Sequence, residues 1–339
     1  MLKNRTQNDI FFDDSKLIKV TEMGNITELL YMSRKNTKAT IKMLPGGNEY
    51  IDLSTGDVKE VSHHTTRAEQ YKSLARTFRN MRNIINANIT DVSRVRWITL
   101  TYAENMRDTK RLYKDFELFN KRFQYYIQNK LNLNKAEYIV VAEPQGRGAW
   151  HLHLLYIFDT VAPYIDNDTV LYPMWSHGWT KCQKLKDVDN IGAYLTAYLG
   201  DIPLDELGSD LNKLFEFLHT KCPDSEELNM NLGKIKEIEI KDDFGNLKKK
   251  QFIKGGRLIY YPANFNMFRC SRGIKRPIEH ELTYKKARRL VVGQKVTFEK
   301  TTVLKDASTG FESIINKRHY NKTLSRFHKK AANLDNIPF

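Results

Sequence analysis

Glu137-Tyr-Ile-Val-Val-Ala-Glu143, Pro144-Gln-Gly-Arg-Gly-Ala-Trp150 and His151-Leu-His153-Leu-Leu-Tyr-Ile-Phe158 follow one another without a break, and how they are read decides the rest of the chain. β-Branched and aromatic residues crowd both flanks while Gly146 and Gly148 sit between them, so the stretch is expected to form a β-hairpin. Side chains alternate along a strand, which puts His151 and His153 on one face and turns Leu152 into a core. Two imidazoles one pleat apart can converge on a single metal ion, and Glu143 can reach the same ion from the partner strand. Two histidines and a carboxylate leave coordination positions open, as a catalytic centre needs and a structural zinc site does not. Two half-buried, hydrogen-bonded histidines would leave the same trace in the sequence.

The bulk properties narrow the setting. A chain of 339 residues, 41% of them hydrophobic, can bury a real core and has room for more than one domain. Its 55 Lys and Arg against 40 Asp and Glu give a formal charge of +15, which suits a polyanionic partner and favours nucleic acid. Plain solubility is the competing explanation. Cys182, Cys222 and Cys270 form no C-x-x-C and no disulfide framework, so a reducing compartment is expected. The N-terminal residues lack the apolar core of a signal peptide, and no apolar run approaches the length of a membrane span. The expectation is a soluble, cytoplasmic protein without a membrane partner.

Outward from the hairpin, residues 15–62 read as short strands, with 39–43 and 49–53 flanking Pro45-Gly46-Gly47 as a hairpin. Residues 66–89 change to a helical pattern, with Tyr71, Leu74, Phe78, Met81 and Ile85 in one stripe. Lys72, Arg76, Arg79 and Arg82 occupy its other faces, where they can meet phosphates or simply solvent. Residues 96–102 read as a strand, and 109–131 as an amphipathic helix carrying Leu112, Phe116, Phe119, Phe123 and Ile127. Residues 175–182 read as another sheet edge, and Asp187-Val-Asp-Asn190 offers a cap for a helix over 191–199. This order predicts an α+β fold: a central antiparallel sheet with helices packed on one face.

Beyond residue 202 a helix is expected over 204–218, a charged turn over 241–250, a strand over 255–261 and a basic, helical tail over 317–330. The resulting division is 1–92 (β-hairpin and basic helix), 93–202 (core) and 203–339 (basic α/β region), with both ends candidates for DNA binding. Candidate phosphate contacts are Arg76, Arg79, Arg147, Lys181, Lys184, Arg269, Arg272, Lys275 and Arg276.

The 191–201 segment holds Tyr194 and Tyr198, four residues apart and on one helix face. A phenol is a poor nucleophile at its usual pKa near 10, but a phenolate can attack phosphorus and remain as a phosphotyrosine. A divalent ion on the phosphate would draw charge from a non-bridging oxygen and orient the leaving 3′ oxygen. Two core tyrosines of a short amphipathic helix would show the same spacing.

Three pieces together resemble, in order, the motifs of the HUH endonucleases, specifically the rolling-circle replication initiators (Rep) of plasmids and small phages. Ile98-Thr-Leu-Thr-Tyr102 is similar to the first motif. Glu143 with Gly146, Gly148, His151, Leu152 and His153 is similar to the metal motif. Tyr194-Leu-Thr-Ala-Tyr198-Leu-Gly200 is similar to the Tyr-x-x-Lys-Tyr-x-x-Lys helix. The resemblance spans about residues 95–202. The family places a lysine three residues after each tyrosine; this chain has Ala197 and Asp201 there, with Lys181, Lys184 or Lys186 as substitutes.

The resemblance implies an HUH/RRM-like nuclease core with basic N- and C-terminal extensions, and Mg²⁺ or Mn²⁺ on His151, His153 and Glu143. It implies Tyr198 as the nicking nucleophile, with Tyr194 as a second nucleophile or a positioning group. The substrate implied is single-stranded or hairpin origin DNA, cut to leave a 5′-phosphotyrosine and a 3′-OH for a host polymerase. No P-loop motif is present, so a separate host helicase is expected. An HUH relaxase would carry its tyrosine before the histidines, and a transposase of this type would be shorter. A non-enzymatic DNA-binding regulator and a zinc-stabilised structural module are the alternatives outside the family.

Overall fold

The computed structural model describes residues 2–4, 13–34, 40–61, 65–185, 190–197, 200–206, 234–241, 247–306 and 310–325. β1 (Leu2–Asn4) is followed by β2 (Leu17–Met23) and β3 (Ile26–Met32), joined by a tight turn in which Gly24 takes φ +60°. β4 (Ile41–Met43), β5 (Glu49–Asp52) and β6 (Val58–Glu60) make a small antiparallel sheet, with the expected hairpin across Pro45-Gly46-Gly47. α1 (Tyr71–Asn88) leads to β7 (Val95–Thr101) and to α2 (Thr109–Asn129), whose first amides are capped by the Asp108 carboxylate.

The hairpin that opened the sequence forms as β8 (Glu137–Pro144) and β9 (Trp150–Ile157). The expected edge at 175–182 is divided. α3 (Tyr172–Trp175) ends at Ser176, a left-handed residue at φ 57°, and β10 (Thr180–Lys184) then pairs with β7. α4 (Ile191–Ala197) and β11 (Ile202–Pro203) follow. β12 (Ile235–Lys241) and β13 (Leu247–Ile253) flank the expected charged turn, whose centre lies outside the described residues. β14 (Phe268–Cys270), β15 (Ile278–Thr283), α5 (Tyr284–Leu290), β16 (Gln294–Asp306) and β17 (Phe311–Ser325) complete the described chain.

The fold is α+β, and its centre is a five-stranded antiparallel sheet in the order β10-β7-β9-β8-β14. α2 covers one face, seating Leu112, Phe116, Phe119 and Phe123 against Ile98, Leu100, Val140, Leu152 and Leu154. Each fully buried phenylalanine contributes about 2–3 kcal/mol by leaving water. The expected helical cover is therefore met by α2, and the structure adds α1 and α4 on the opposite face. There Met81, Ile84, Ile85, Ile191 and Leu195 pack on Val95, Ile139, Val141 and Leu155. Strands that are apolar on both sides call for cover on both sides, and β8 is buried along most of its length.

A second, six-stranded sheet runs β1-β16-β17-β3-β2-β15 and draws its strands from both ends of the described chain. α5 packs Tyr284, Ala287 and Val291 on its Ile18, Val20, Leu29 and Tyr320. The helix expected over 317–330 is instead strand as far as Ser325, and the rest lies outside the described residues. β17 pairs on both sides, with β3 and with β16, and its buried polar side chains are matched across the ladder: His319 Nε2 lies 3.0 Å from Glu28 Oε2. The strand expected over 255–261 is a tight 3-10 turn at Gly256–Tyr260, begun by Gly255 at φ +71°. Of the helix expected over 204–218, residues 204–206 form one 3-10 turn and the remainder lies outside the described residues. Among the described residues, no helix is long and apolar enough to cross a membrane.

Candidate active site

Register puts the chemistry in one place. His151 stands opposite Glu143 on β8 and Thr101 on β7, while His153 stands opposite Val141 and Thr99. Both histidines therefore share the face that α1 and α4 cover, since Val141 and Leu155 of that face pack on those helices. The turn between the strands needs a glycine. Gly148 takes φ +80°, its amide donates to the Gln145 carbonyl at 2.8 Å, and a Cβ there would meet Arg107 Nε at 3.2 Å.

His153 Nε2 lies 2.7 Å from Glu143 Oε2, and its Nδ1 lies 3.2 Å from Thr99 Oγ1. The other carboxylate oxygen of Glu143 is 3.1 Å from Arg257 Nε. Arg257 also donates from Nη1 to the Pro144 carbonyl at 2.7 Å and from Nε to the Asp201 carbonyl at 2.8 Å. Burial by itself would raise the Glu143 carboxyl, but His153 and Arg257 overcome it and hold the group at about 2. His151 moves the other way: burial, reinforced by the neighbouring His153, pushes it down to about 4. It is thus a neutral imidazole at pH 7, the form that binds metals.

His151 Nε2 is buried and has no hydrogen-bond partner, and the Thr101 Oγ1 opposite it is also buried without one. An orphaned buried nitrogen beside a second imidazole and a carboxylate fits a divalent ion in kind. Among the described residues, however, no three His, Cys, Asp or Glu side chains are gathered to hold an ion as they stand. The direct His153–Glu143 contact uses the donor pair that an ion would take.

Tyr198 lies outside the described residues, and of Tyr194 only the backbone, within α4, is described. Asp201, at the second of the family's lysine positions, has a structural task. Its carboxylate accepts from the Gly255 amide at 3.0 Å and its carbonyl from Arg257, tying down the turn that presents Arg257 to Glu143. Burial raises the pKa of that carboxyl.

The candidate phosphate contacts separate by face. Lys181 is exposed on the histidine side, in one row with Thr99 and His153, whereas Lys184 is in register with Arg96 on the α2 side. Lys186 lies outside the described residues. Arg269 also belongs to the α2 side, its guanidinium 3.5 Å from the centre of the Tyr113 ring, so it is not brought to the histidines. Arg76 and Arg79 are exposed on α1; Arg272, Lys275 and Arg276 are exposed on a loop docked to α1, where the Lys275 amide donates to Asn88 Oδ1 at 2.8 Å. Arg147 is exposed in the hairpin turn and donates from Nε to Gln145 Oε1 at 3.0 Å.

Sequence reasoning missed Arg257, which has no motif around it and sits far along the chain from Glu143. It also missed Asn86, an unremarked polar position on an otherwise apolar stripe, whose side chain reaches the start of α4.

The arrangement defines an antiparallel α+β core with a histidine pair, a facing carboxylate and a short helix on one side of the sheet. Residues 95–202 match the model of a family described as replication-associated protein of the ORF2 and gene-2-protein type, which supports a role in replication. No curated protein and no solved structure gave a significant match.

Proposed function

We propose that the β7–β11 core is the nicking and joining domain of a rolling-circle replication initiator of the HUH type. The observation that carries this reading is that His151, His153, Glu143 and the start of the tyrosine segment all belong to one face of the central sheet. Single-stranded origin DNA would lie along that face, with Lys181 and the α1 cations Arg76 and Arg79 contacting its backbone. The Tyr198 phenol attacks one phosphodiester, forming an O–P bond as the 3′ oxygen leaves and takes up a proton. The strand is then held as a 5′-phosphotyrosine while a host polymerase extends the 3′-OH. Tyr194 serves the second transfer or positions the first. Mg²⁺ or Mn²⁺ held by His151, His153 and Glu143 would supply charge stabilisation at the phosphate. Arg257 keeps Glu143 ionised and fixed in orientation, as outer partners of metal ligands do. Unwinding would fall to a host helicase.

Mass spectrometry of the protein after incubation with single-stranded DNA and Mn²⁺ tests this. The expected result is a nucleotide adduct on Tyr198, lost in Tyr198→Phe and in His151→Ala. An intact protein mass under all conditions rejects the reading. The His153–Glu143 contact favours one alternative, a DNA-binding regulator whose histidines are structural. Such a protein would retard the oligonucleotide without cutting it, with or without Mn²⁺.

A further inference from the structure

The tyrosine segment is anchored by a residue of a different helix. Asn86 lies in the last turn of α1 with 4% of its surface exposed. Its Oδ1 accepts from the Gly192 amide at 2.8 Å, and its Nδ2 donates to Asn190 Oδ1 at 2.9 Å. That same Asn190 oxygen accepts from the Ala193 amide at 2.9 Å. Two of the amides that a helix start leaves without partners thus end on two linked asparagines, one local and one 106 residues upstream of the amide it holds. Contact at this point is close. A Cβ on Gly192 would lie 2.4 Å from the Arg82 carbonyl oxygen, so the two backbones meet where only glycine fits.

The other side of α1 is held at the same level. A Cβ on Gly24 would lie 2.3 Å from the Asn86 carbonyl oxygen, and Asn25 Nδ2 donates to the Thr90 carbonyl at 2.8 Å. The Lys322 amide of β17 in turn donates to the Asn25 carbonyl at 3.0 Å. The six-stranded sheet, α1 and α4 therefore join around one buried amide side chain.

A local cap stabilises a helix but leaves it able to rock with its own loop. A bond from a second helix fixes its direction. From Gly192 to Ala197 the helix rises about 7–8 Å, so a tilt of about 10° shifts its far end by roughly 1 Å. Displacements of that size cost on the order of 100-fold in rate when a nucleophile must meet an electrophile in line. We propose that Asn86 is a positioning residue for strand cleavage: by bonding Gly192 and Asn190 it sets the direction of α4, and so makes α1 part of the nuclease machinery. The inference rests on the reading of Tyr198 or Tyr194 as the nucleophile.

The test uses the full chain, a randomised single-stranded DNA pool and Mn²⁺, with two readouts: the initial rate of adduct formation, and hydrogen exchange of the 191–197 amides. In Asn86→Ala the rate is expected to fall on the order of 10- to 100-fold. The 191–197 amides should exchange faster, while affinity for the pool stays at the wild-type value. Asn86→Asp keeps the acceptor for the Gly192 amide and should recover most of the rate, which separates positioning from a general loss of folding. A wild-type rate in Asn86→Ala, or wild-type exchange over 191–197, overturns the proposal. Absence of adduct from the wild-type protein overturns the nucleophile reading and the cleavage role with it; the exchange readout then decides separately whether Asn86 anchors α4.

Discussion

Replacing Arg257 with methionine removes the guanidinium that holds Glu143 while keeping most of the side-chain volume. The pair is well buried, with side-chain exposures of 8% and 11%, and the Nε–Oε1 separation is 3.1 Å. At an effective dielectric near 20 that separation corresponds to about 5 kcal/mol of attraction, offset by the cost of taking both charges out of water. Arg257 also satisfies the Pro144 and Asp201 carbonyls, which Arg257→Met would leave without that donor. The single substitution should therefore cost about 3–5 kcal/mol in urea unfolding with EDTA present. The pair itself is isolated by a cycle with Glu143→Gln, where a coupling of about 1–3 kcal/mol is expected. The pH dependence has a definite sign. Glu143 is held at about 2, so its contribution is complete above the ordinary carboxylate range and is lost as the pH falls toward that value. In Arg257→Met part of it should be missing at every pH above that window. A coupling below about 0.5 kcal/mol would refute the view that Arg257 holds Glu143 in place.

Three further outcomes are expected. Glu28 is buried beside Lys317 and His319; burial would raise its carboxyl, yet these two partners bring it down to about 2. The stability difference between wild type and Glu28→Gln should be on the order of 3 kcal/mol at pH 7 and shrink as the pH falls from about 4.5 toward 2; a difference that is flat over this range in acid-titrated unfolding would contradict it. Gly192→Ala, which helix propensity alone would favour by about 1 kcal/mol, should lower the melting temperature because its methyl meets the Arg82 carbonyl; an unchanged or raised melting temperature would count against that contact. Mn²⁺ should raise the melting temperature of wild type and leave His151→Ala and His153→Ala unmoved in a thermal-shift titration, and equal shifts in all three would remove the histidines from the metal reading.

The hairpin was legible because its two signals agree: β-branched strands on either side of a turn that needs glycine, and a period of two that puts His151 and His153 together. The α2 stripe was legible for the same kind of reason, its phenylalanines recurring at helical spacing. β17 was misread because Lys317, Arg318 and Lys322 look like the solvated face of a basic helix, while the partners that make it a strand, such as Glu28, lie at the opposite end of the chain. Gly255-Gly-Arg-Leu-Ile-Tyr-Tyr261 has the composition of a strand, but Gly255 at φ +71° turns the chain and the Arg257 side chain holds it there. Arg257 and Asn86 were out of reach on principle, since a single buried polar side chain has no period, and its partner is chosen by the tertiary fold.

The six-stranded sheet has a consequence for the order in which the molecule can be made. His319 and Glu28, which touch across β17 and β3, are 291 residues apart, and bringing such distant segments together from an open chain costs about 5 kcal/mol in loop entropy. A central domain that has already collapsed shortens the effective distance and removes much of that penalty. During synthesis, then, β2 and β3 wait with a bare edge until the β16–β17 ribbon leaves the ribosome and clasps them. In that interval an unpaired apolar strand is open to the wrong neighbour.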